Sequence, residues 1–215
     1  MVNVTGIMIL LVVIVVSMTL HEAMHAFVGY ALGDDTARQQ GRLSFNPLKH
    51  IDPFMTILLP FVMVMLGAPP FGAAKPVPFN PRRLRHGEWG MLMVALAGPL
   101  MNLLLAFICF GIGVVSGIIT HAGIQNSLIG SFVGSMVFVN LGFFVFNMLP
   151  IPPLDGSRLL YVLAPDIVRR RMEWLEQYGT LLVFGLVVVM SPLISRMMRL
   201  MINAIISGFS WIFGV

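Results

Sequence analysis

Charged residues and cysteine are both scarce in this 215-residue chain. Asp, Glu, Lys and Arg make up 10% of the residues, whereas hydrophobic residues make up 58% and the mean hydropathy is +0.92. A soluble domain carries about 25% charged residues, so a soluble globular fold is excluded, and disorder would require low hydrophobicity. The one cysteine, Cys109, excludes a disulfide framework. The chain is therefore expected to be an integral membrane protein.

Long apolar runs predict an all-α polytopic membrane protein, a transmembrane helix bundle with about four to six membrane segments. Clear spans are expected at about residues 4–32, 89–119 and 128–149. The apolar region 179–215 contains Pro192 and is expected to form one span with an interfacial helix, or two short spans.

We interpret residues 1–215 as a single membrane-embedded domain. Its core is expected at about residues 4–160, and its C-terminal membrane segments at about 165–215. The loop 67–81, which is rich in proline and glycine, and the apolar run 54–66 before it are expected to form a platform or gate where an extended peptide pairs by strand addition.

The positions of Lys and Arg predict the orientation in the membrane. Eleven of the 13 lie in segments 33–53, 67–88 and 154–178, which the positive-inside rule places in the cytoplasm. The net charge of +4 thus reports loop orientation and indicates no nucleic-acid partner. The apolar run Phe54–Leu66 has positive charge on both sides, so it is expected to dip into the membrane and return beside a wet cavity. We expect a multi-pass protein of the plasma (inner) membrane.

The first span contains the motif H-E-x-x-H, as His21-Glu22-Ala23-Met24-His25. Residues i and i+4 share one face of a helix, so the two imidazoles can bind one Zn²⁺. Bound zinc lowers the pKa of a water from about 15.7 to about 7, and the Glu22 carboxylate can accept its proton. A charged side chain inside a span costs on the order of 3 kcal/mol, which argues against a chance occurrence.

A hydrolytic zinc site needs a third protein ligand and an open position. Asp155 is the expected ligand, because it follows the third span on the same side as His25, between Leu154 and Gly156, where a carboxylate has no surface role. The alternative is that Asp155 caps a helix beginning near Ser157. The other carboxylates and histidines considered are Asp34, Asp35, Asp52, Asp166, Glu88, His50, His86 and His121.

Three asparagines lie in apolar spans. Asn147, eight residues before Asp155, can stabilise an oxyanion or form an interhelical hydrogen bond, and the residues alone leave both roles open. Asn102 and Asn140 are interpreted as helix-packing residues. The arginine cluster 169–171 is interpreted as a cytoplasmic anchor that can contact anionic lipid.

Several separate blocks share the pattern of one known family. They are His21-Glu22-Ala23-Met24-His25, Gly41-Arg42-Leu43-Ser44-Phe45-Asn46-Pro47-Leu48-Lys49-His50-Ile51-Asp52-Pro53, Ala74-Lys75-Pro76-Val77-Pro78, Ala97-Gly98-Pro99 followed by Asn102, and Asn147-Met148-Leu149-Pro150-Ile151-Pro152-Pro153-Leu154-Asp155-Gly156. In these blocks the chain resembles the site-2 proteases, zinc intramembrane metalloproteases, in a minimal form without a PDZ or CBS domain.

The resemblance implies that His21, His25 and Asp155 bind zinc, that Glu22 is the catalytic base and that Asn147 helps to stabilise the transition state. It implies hydrolysis of peptide bonds within or near transmembrane segments of other proteins, with the active site toward the cytoplasmic side. Two other functions use the same ligands: zinc transport, and zinc binding in a non-catalytic membrane scaffold. A transporter would place ionisable residues along its other spans, and spans 89–119 and 128–149 carry almost none.

Overall fold

A computed structural model describes residues 4–53, 58, 61, 62, 65 and 75–215, without the side chains of 180–184 and 186–191. Most of the run 54–66, expected to be re-entrant, and residues 67–74 of the loop 67–81 therefore lie outside the described residues. The helices are α1 (Val4–Ala31), α2 (Thr36–Gln39), α3 (Glu88–Val115), α4 (Leu128–Asn147), α5 (Ser157–Leu163), α6 (Asp166–Gln177) and α7 (Gly179–Phe213). Two 3₁₀ turns lie at Pro47–Lys49 and Pro81–Arg83. The strands β1 (Ile119–Thr120) and β2 (Gly123–Ile124) form a short antiparallel hairpin.

Three of these helices are long and apolar enough to cross a membrane. They are α1 and α3, of 28 residues each, and α4, of 20 residues. At a rise of about 1.5 Å per residue, 20 residues span the roughly 30 Å of bilayer hydrocarbon. The three spans and the all-α fold expected from the sequence are confirmed.

Helices α1, α3 and α4 pack against one another in all three pairings. The interior of this unit is apolar, with Val13, Val94, Val137, Leu141 and Val145 buried. Ser17, Asn102 and Asn140 are also fully buried there, at 0% exposure each. Buried polar groups are costly unless they are hydrogen-bonded, so these three are examined with the site that they adjoin.

Helix α7 closes the bundle at the hairpin end. The rings of Phe209 and Phe213 lie 5.2 Å from the ring of Phe107 on α3, and Gly111 leaves room for Phe213, which a Cβ would approach to 2.6 Å. The backbone of α7 is one continuous helix of 35 residues with Pro192 inside it. The sequence left open one span with an interfacial helix or two short spans, whereas the backbone of this region is a single continuous helix.

Helices α5 and α6 fold back against the N-terminal end of α3. Arg169 contacts Glu88 and also donates to backbone carbonyls at the end of α5, and the guanidinium of Arg158 lies 3.0 Å from the Glu176 carboxylate. The hydroxyl of Tyr161 donates to Glu173 at 2.7 Å. Arg169 of the predicted anchor cluster is thus a structural residue that ties α6 to α3 and α5.

The buried carboxylate of Asp34 joins the end of α1 to the segment 75–80. It accepts hydrogen bonds from the Thr36 hydroxyl at 2.5 Å, the Thr36 N–H at 3.1 Å and the Asn80 N–H at 2.6 Å. Burial alone would raise the pKa of Asp34, but these donors and nearby Arg83 hold the pKa below its usual range. Asp34 therefore fixes the segment that reaches the site described below.

Replacing Asp34 by asparagine is expected to lower the free energy of unfolding by about 1–3 kcal/mol, because an amide nitrogen cannot accept the Asn80 N–H. Since folding depresses the pKa of Asp34, the ionised carboxylate contributes fully to the stability of the wild type above about pH 3.9. This contribution is lost as the pH falls through the pKa of Asp34 in the folded protein. Unfolding in detergent, followed from neutral to acidic pH, measures both effects. Asp35→Asn, at an exposed ion pair with Arg83, is the control and should change stability little.

Candidate metal centre

The two motif histidines lie one turn apart on α1 and point their Nε2 atoms at the same place. These atoms are 3.0 Å apart, and Oδ2 of Asp155 lies 3.2 Å from Nε2 of His21 and 3.5 Å from Nε2 of His25. The imidazole side chains are 10% and 11% exposed, and the Asp155 side chain is 24% exposed. The three side chains form one cluster of possible metal ligands, buried but open on the carboxylate side.

The loop between α4 and α5 carries Asp155 to the histidines. Gly156 N–H donates to the Asn147 carbonyl at 2.6 Å, and a Cβ on Gly156 would lie 2.4 Å from the Met148 carbonyl oxygen. Only glycine fits this close approach. Gly156 is the N-cap of α5, which has no side-chain capping bond, so the alternative role of Asp155 as the cap is not what the structure has.

Each imidazole is held from behind through its Nδ1. Nδ1 of His25 lies 2.7 Å from the Val94 carbonyl oxygen, and Nδ1 of His21 lies 2.6 Å from Oδ1 of Asn102. A carbonyl oxygen only accepts hydrogen bonds, so each neutral imidazole carries its proton on Nδ1 and keeps a lone pair on Nε2. Outer contacts of this kind orient histidine ligands in metal sites.

This donor set fits zinc. Two imidazole nitrogens and a carboxylate oxygen face one another at 3.0–3.5 Å, an arrangement that a cation between them would stabilise. Nitrogen and oxygen ligands about 2.0–2.1 Å from a tetrahedral zinc are roughly 3.3 Å apart, close to these separations. Gly98 on α3 leaves the space open, because a Cβ there would lie 2.3 Å from Nε2 of His25 and 2.7 Å from the ring of His21.

Glu22 is held by the segment 75–80. Its Oε2 accepts the backbone N–H of Val77 at 3.0 Å. The segment is fixed in turn by the buried guanidinium of Arg42, which donates to the carbonyls of Lys75 and Pro76. The candidate base is thus positioned by the part of loop 67–81 that the structure describes.

The other sequence candidates lie in different contacts. Asn147 Nδ2 donates at 3.0 Å to the Phe143 carbonyl of its own helix, and the oxyanion role of Asn147 stays a prediction. Four of the alternative third ligands have other partners: Asp34 binds Asn80 N–H, Asp35 pairs with Arg83, Glu88 pairs with Arg169, and His50 bonds the Ser44 carbonyl.

Sequence reasoning missed four residues that shape the site. Gly98 was noticed only as part of a family block, and its Cα lies against both imidazoles. Asn102 was interpreted as a packing residue; it does join helices, but it also contacts His21. Arg42 and Val77 carried no signal of their own. Their place inside the family blocks 41–53, 74–78 and 97–102 is the signal that the sequence offers for them.

The comparisons with known proteins point to one family. A family model described as "Peptidase family M50" matches residues 112–191, a stretch that contains Asn147 and Asp155. The Bacillus subtilis (strain 168) protein named "Putative zinc metalloprotease YwhC" is 42% identical over 211 residues, which cover 95% of this chain and 92% of that protein.

More distant relatives agree. The Mycolicibacterium smegmatis protein named "Putative zinc metalloprotease Rip2" is 32% identical over 181 residues, covering 84% of this chain and 66% of that protein. The Mycobacterium tuberculosis (strain H37Rv) protein of the same name is 31% identical over 183 residues, with 82% and 64% covered. No solved structure gives a significant match. With the H-E-x-x-H cluster on α1 and near full-length similarity to YwhC, the chain belongs to peptidase family M50, the site-2 protease family.

Proposed function

We propose that this M50 peptidase is an intramembrane zinc metalloprotease that binds zinc through His21, His25 and Asp155 and uses Glu22 as its general base. Its substrates are transmembrane segments of other proteins, in regulated intramembrane proteolysis. The observation that carries the proposal is the convergence of three metal-ligating atoms from α1 and the α4–α5 loop, 3.0–3.5 Å apart. Nothing favours the transporter or the scaffold over this function.

The chemistry divides between the metal and the chain. Zinc, when bound, would polarise the scissile carbonyl and acidify a water molecule. Glu22 would take a proton from the attacking water and return it to the leaving amine. The Val77 N–H holds Oε2 of Glu22, which leaves the carboxylate in a fixed direction for this transfer. Asn147 is assigned to the oxyanion, in line with its place in the family block.

The depth of the site suits a membrane substrate. His25 lies six residues before the end of α1 at Ala31, or about 9 Å along the helix axis. The site is therefore within the apolar span but near one face, which we assign to the cytoplasmic side of the plasma (inner) membrane. A substrate helix hides its carbonyls in its own hydrogen bonds, so it must unwind there, and loop 67–81 is our candidate for the surface that receives it.

Cleavage itself is tested with purified protein and a panel of single-span membrane proteins, with and without a chelator. Chelator-sensitive cleavage within or near the spans is the expected result. Cleavage that a chelator leaves unchanged would contradict the zinc mechanism, and zinc flux into proteoliposomes without any cleavage would favour transport instead.

Replacing Asp155 by asparagine is expected to lower zinc affinity strongly, because a charged ligand becomes a neutral amide. The loss should exceed the factor of about 10 to 100 that is typical when a metal ligand loses an outer contact. Competition with a chelator measures the affinity. Asp166→Asn, at an exposed position in the first turn of α6, is the matched control. Equal affinities for Asp155→Asn and wild type would remove Asp155 from the ligand set.

A further inference from the structure

A chain of buried hydrogen bonds leads from α4 through α3 to the back of His21. Nδ2 of Asn140 donates at 2.8 Å to the Met136 carbonyl and at 2.8 Å to the Ser17 hydroxyl. Nδ2 of Asn102 donates at 2.8 Å to Oδ1 of Asn140 and at 3.4 Å to the Ser17 carbonyl. Oδ1 of Asn102 then lies 2.6 Å from Nδ1 of His21.

The Met136 carbonyl, at the far end of this series of hydrogen bonds, fixes which group donates and which accepts in each of them. The Met136 carbonyl can only accept, so Asn140 must turn its amide nitrogen toward it and its oxygen toward Asn102. Asn102 must then present its own nitrogen to that oxygen, which leaves its oxygen facing His21. An oxygen at 2.6 Å requires the proton on Nδ1, and Nε2 keeps the lone pair that faces Asp155.

This series of hydrogen bonds disfavours the other tautomer of His21, in which the proton is on Nε2. If the Asn102 amide were flipped, its N–H would face Nδ1, the ring proton would move to Nε2, and Nε2 could bind no metal. The flip would also place the Asn102 oxygen against Oδ1 of Asn140 and the Ser17 carbonyl, with no donor between them. Full burial of Ser17, Asn102 and Asn140 leaves little access for water to relieve this conflict.

We propose that Asn102 and Asn140 are positioning residues that set the tautomer of His21 for metal binding, with Ser17 as their anchor on α1. The inference rests on the proposed zinc site and adds a role to residues that pack three membrane spans together. Asn102 acts directly on His21. Asn140 acts through Asn102, and its loss leaves only the longer contact to the Ser17 carbonyl to hold the amide.

Zinc affinity in a set of variants tests the inference. Asn102→Leu removes the acceptor behind His21 and is expected to weaken zinc binding about 10- to 100-fold. Asn102→Asp keeps an acceptor oxygen behind His21 but sets its second oxygen against Oδ1 of Asn140, so it is expected to recover only part of the zinc affinity that Asn102→Leu loses. Asn140→Leu should bind zinc more weakly than wild type and more tightly than Asn102→Leu. A packing role alone predicts that the aspartate variant, with a carboxylate among buried groups, binds no better than the leucine variant.

Two further measurements separate the possible results. Thermal unfolding of the metal-free proteins reports packing, and the leucine variants should lose zinc affinity beyond what their change in stability explains. The ¹⁵N spectrum of histidine-labelled, zinc-loaded wild type should show a proton on His21 Nδ1. No zinc binding by wild type would overturn the proposed function. Zinc binding by wild type together with an unprotonated Nδ1, or with equal affinity in Asn102→Leu, would overturn the inference alone.

Discussion

Replacing Glu22 by glutamine is expected to slow peptide hydrolysis by about 10²–10⁴-fold while zinc binding stays close to wild type. Glutamine keeps the size of the side chain, and its amide oxygen can still accept the Val77 N–H. It cannot take a proton from water, so only the base function is lost. Cleavage of a single-span substrate and the zinc content of the same preparation measure the two effects together.

The control for Glu22→Gln is Glu88→Gln. Glu88 pairs with Arg169 at the start of α3, outside the histidine cluster, and the loss of such a partly exposed ion pair should change stability by about 1 kcal/mol or less. Its cleavage rate should match wild type. Full activity in Glu22→Gln would end the assignment of this residue as the base, and loss of zinc in that variant would assign it to the metal instead.

The sequence predicted the parts of this molecule that depend on one segment at a time. Apolar length alone located the spans that became α1, α3 and α4, because a bilayer fixes how long a helix must be. The spacing of His21 and His25 fixed their common face. Asp155 was found from topology, since a span that ends on the same side as His25 brings the following loop near it.

The sequence could not predict contacts that depend on how the helices are rotated against one another. Asn102 faces His21 across 81 positions of sequence, and Arg42 reaches Lys75 across 33. Neither contact can be predicted from a periodic pattern in the sequence. The interruptions at Pro192, Arg196 and Arg199 likewise predicted one span with an interfacial helix or two short spans, whereas α7 is one helix with Pro192 inside it. Helices of membrane proteins tolerate an internal proline.

Replacing Gly98 by alanine is expected to weaken zinc binding more than about 100-fold and to abolish cleavage. Loss of an outer contact of a metal ligand typically weakens binding by a smaller factor, about 10 to 100. The added Cβ would lie 2.3 Å from Nε2 of His25 and 2.7 Å from Nε2 of His21, so both imidazoles must move at once. Loss of Asp155 would remove one ligand and leave the other two in place. Chelator competition and cleavage of a single-span substrate measure the loss.

Helix weakening cannot account for such a result. Alanine is a better helix former than glycine by about 1 kcal/mol, so α3 itself should be stabilised by the change. Gly142→Ala on α4 is the matched control, because its Cβ would meet nothing within 4 Å. If Gly98→Ala bound zinc as tightly as Gly142→Ala, the cation would not lie between the two imidazoles and α3. If only Gly98→Ala lost zinc, the missing side chain at position 98 would be what keeps the metal position open.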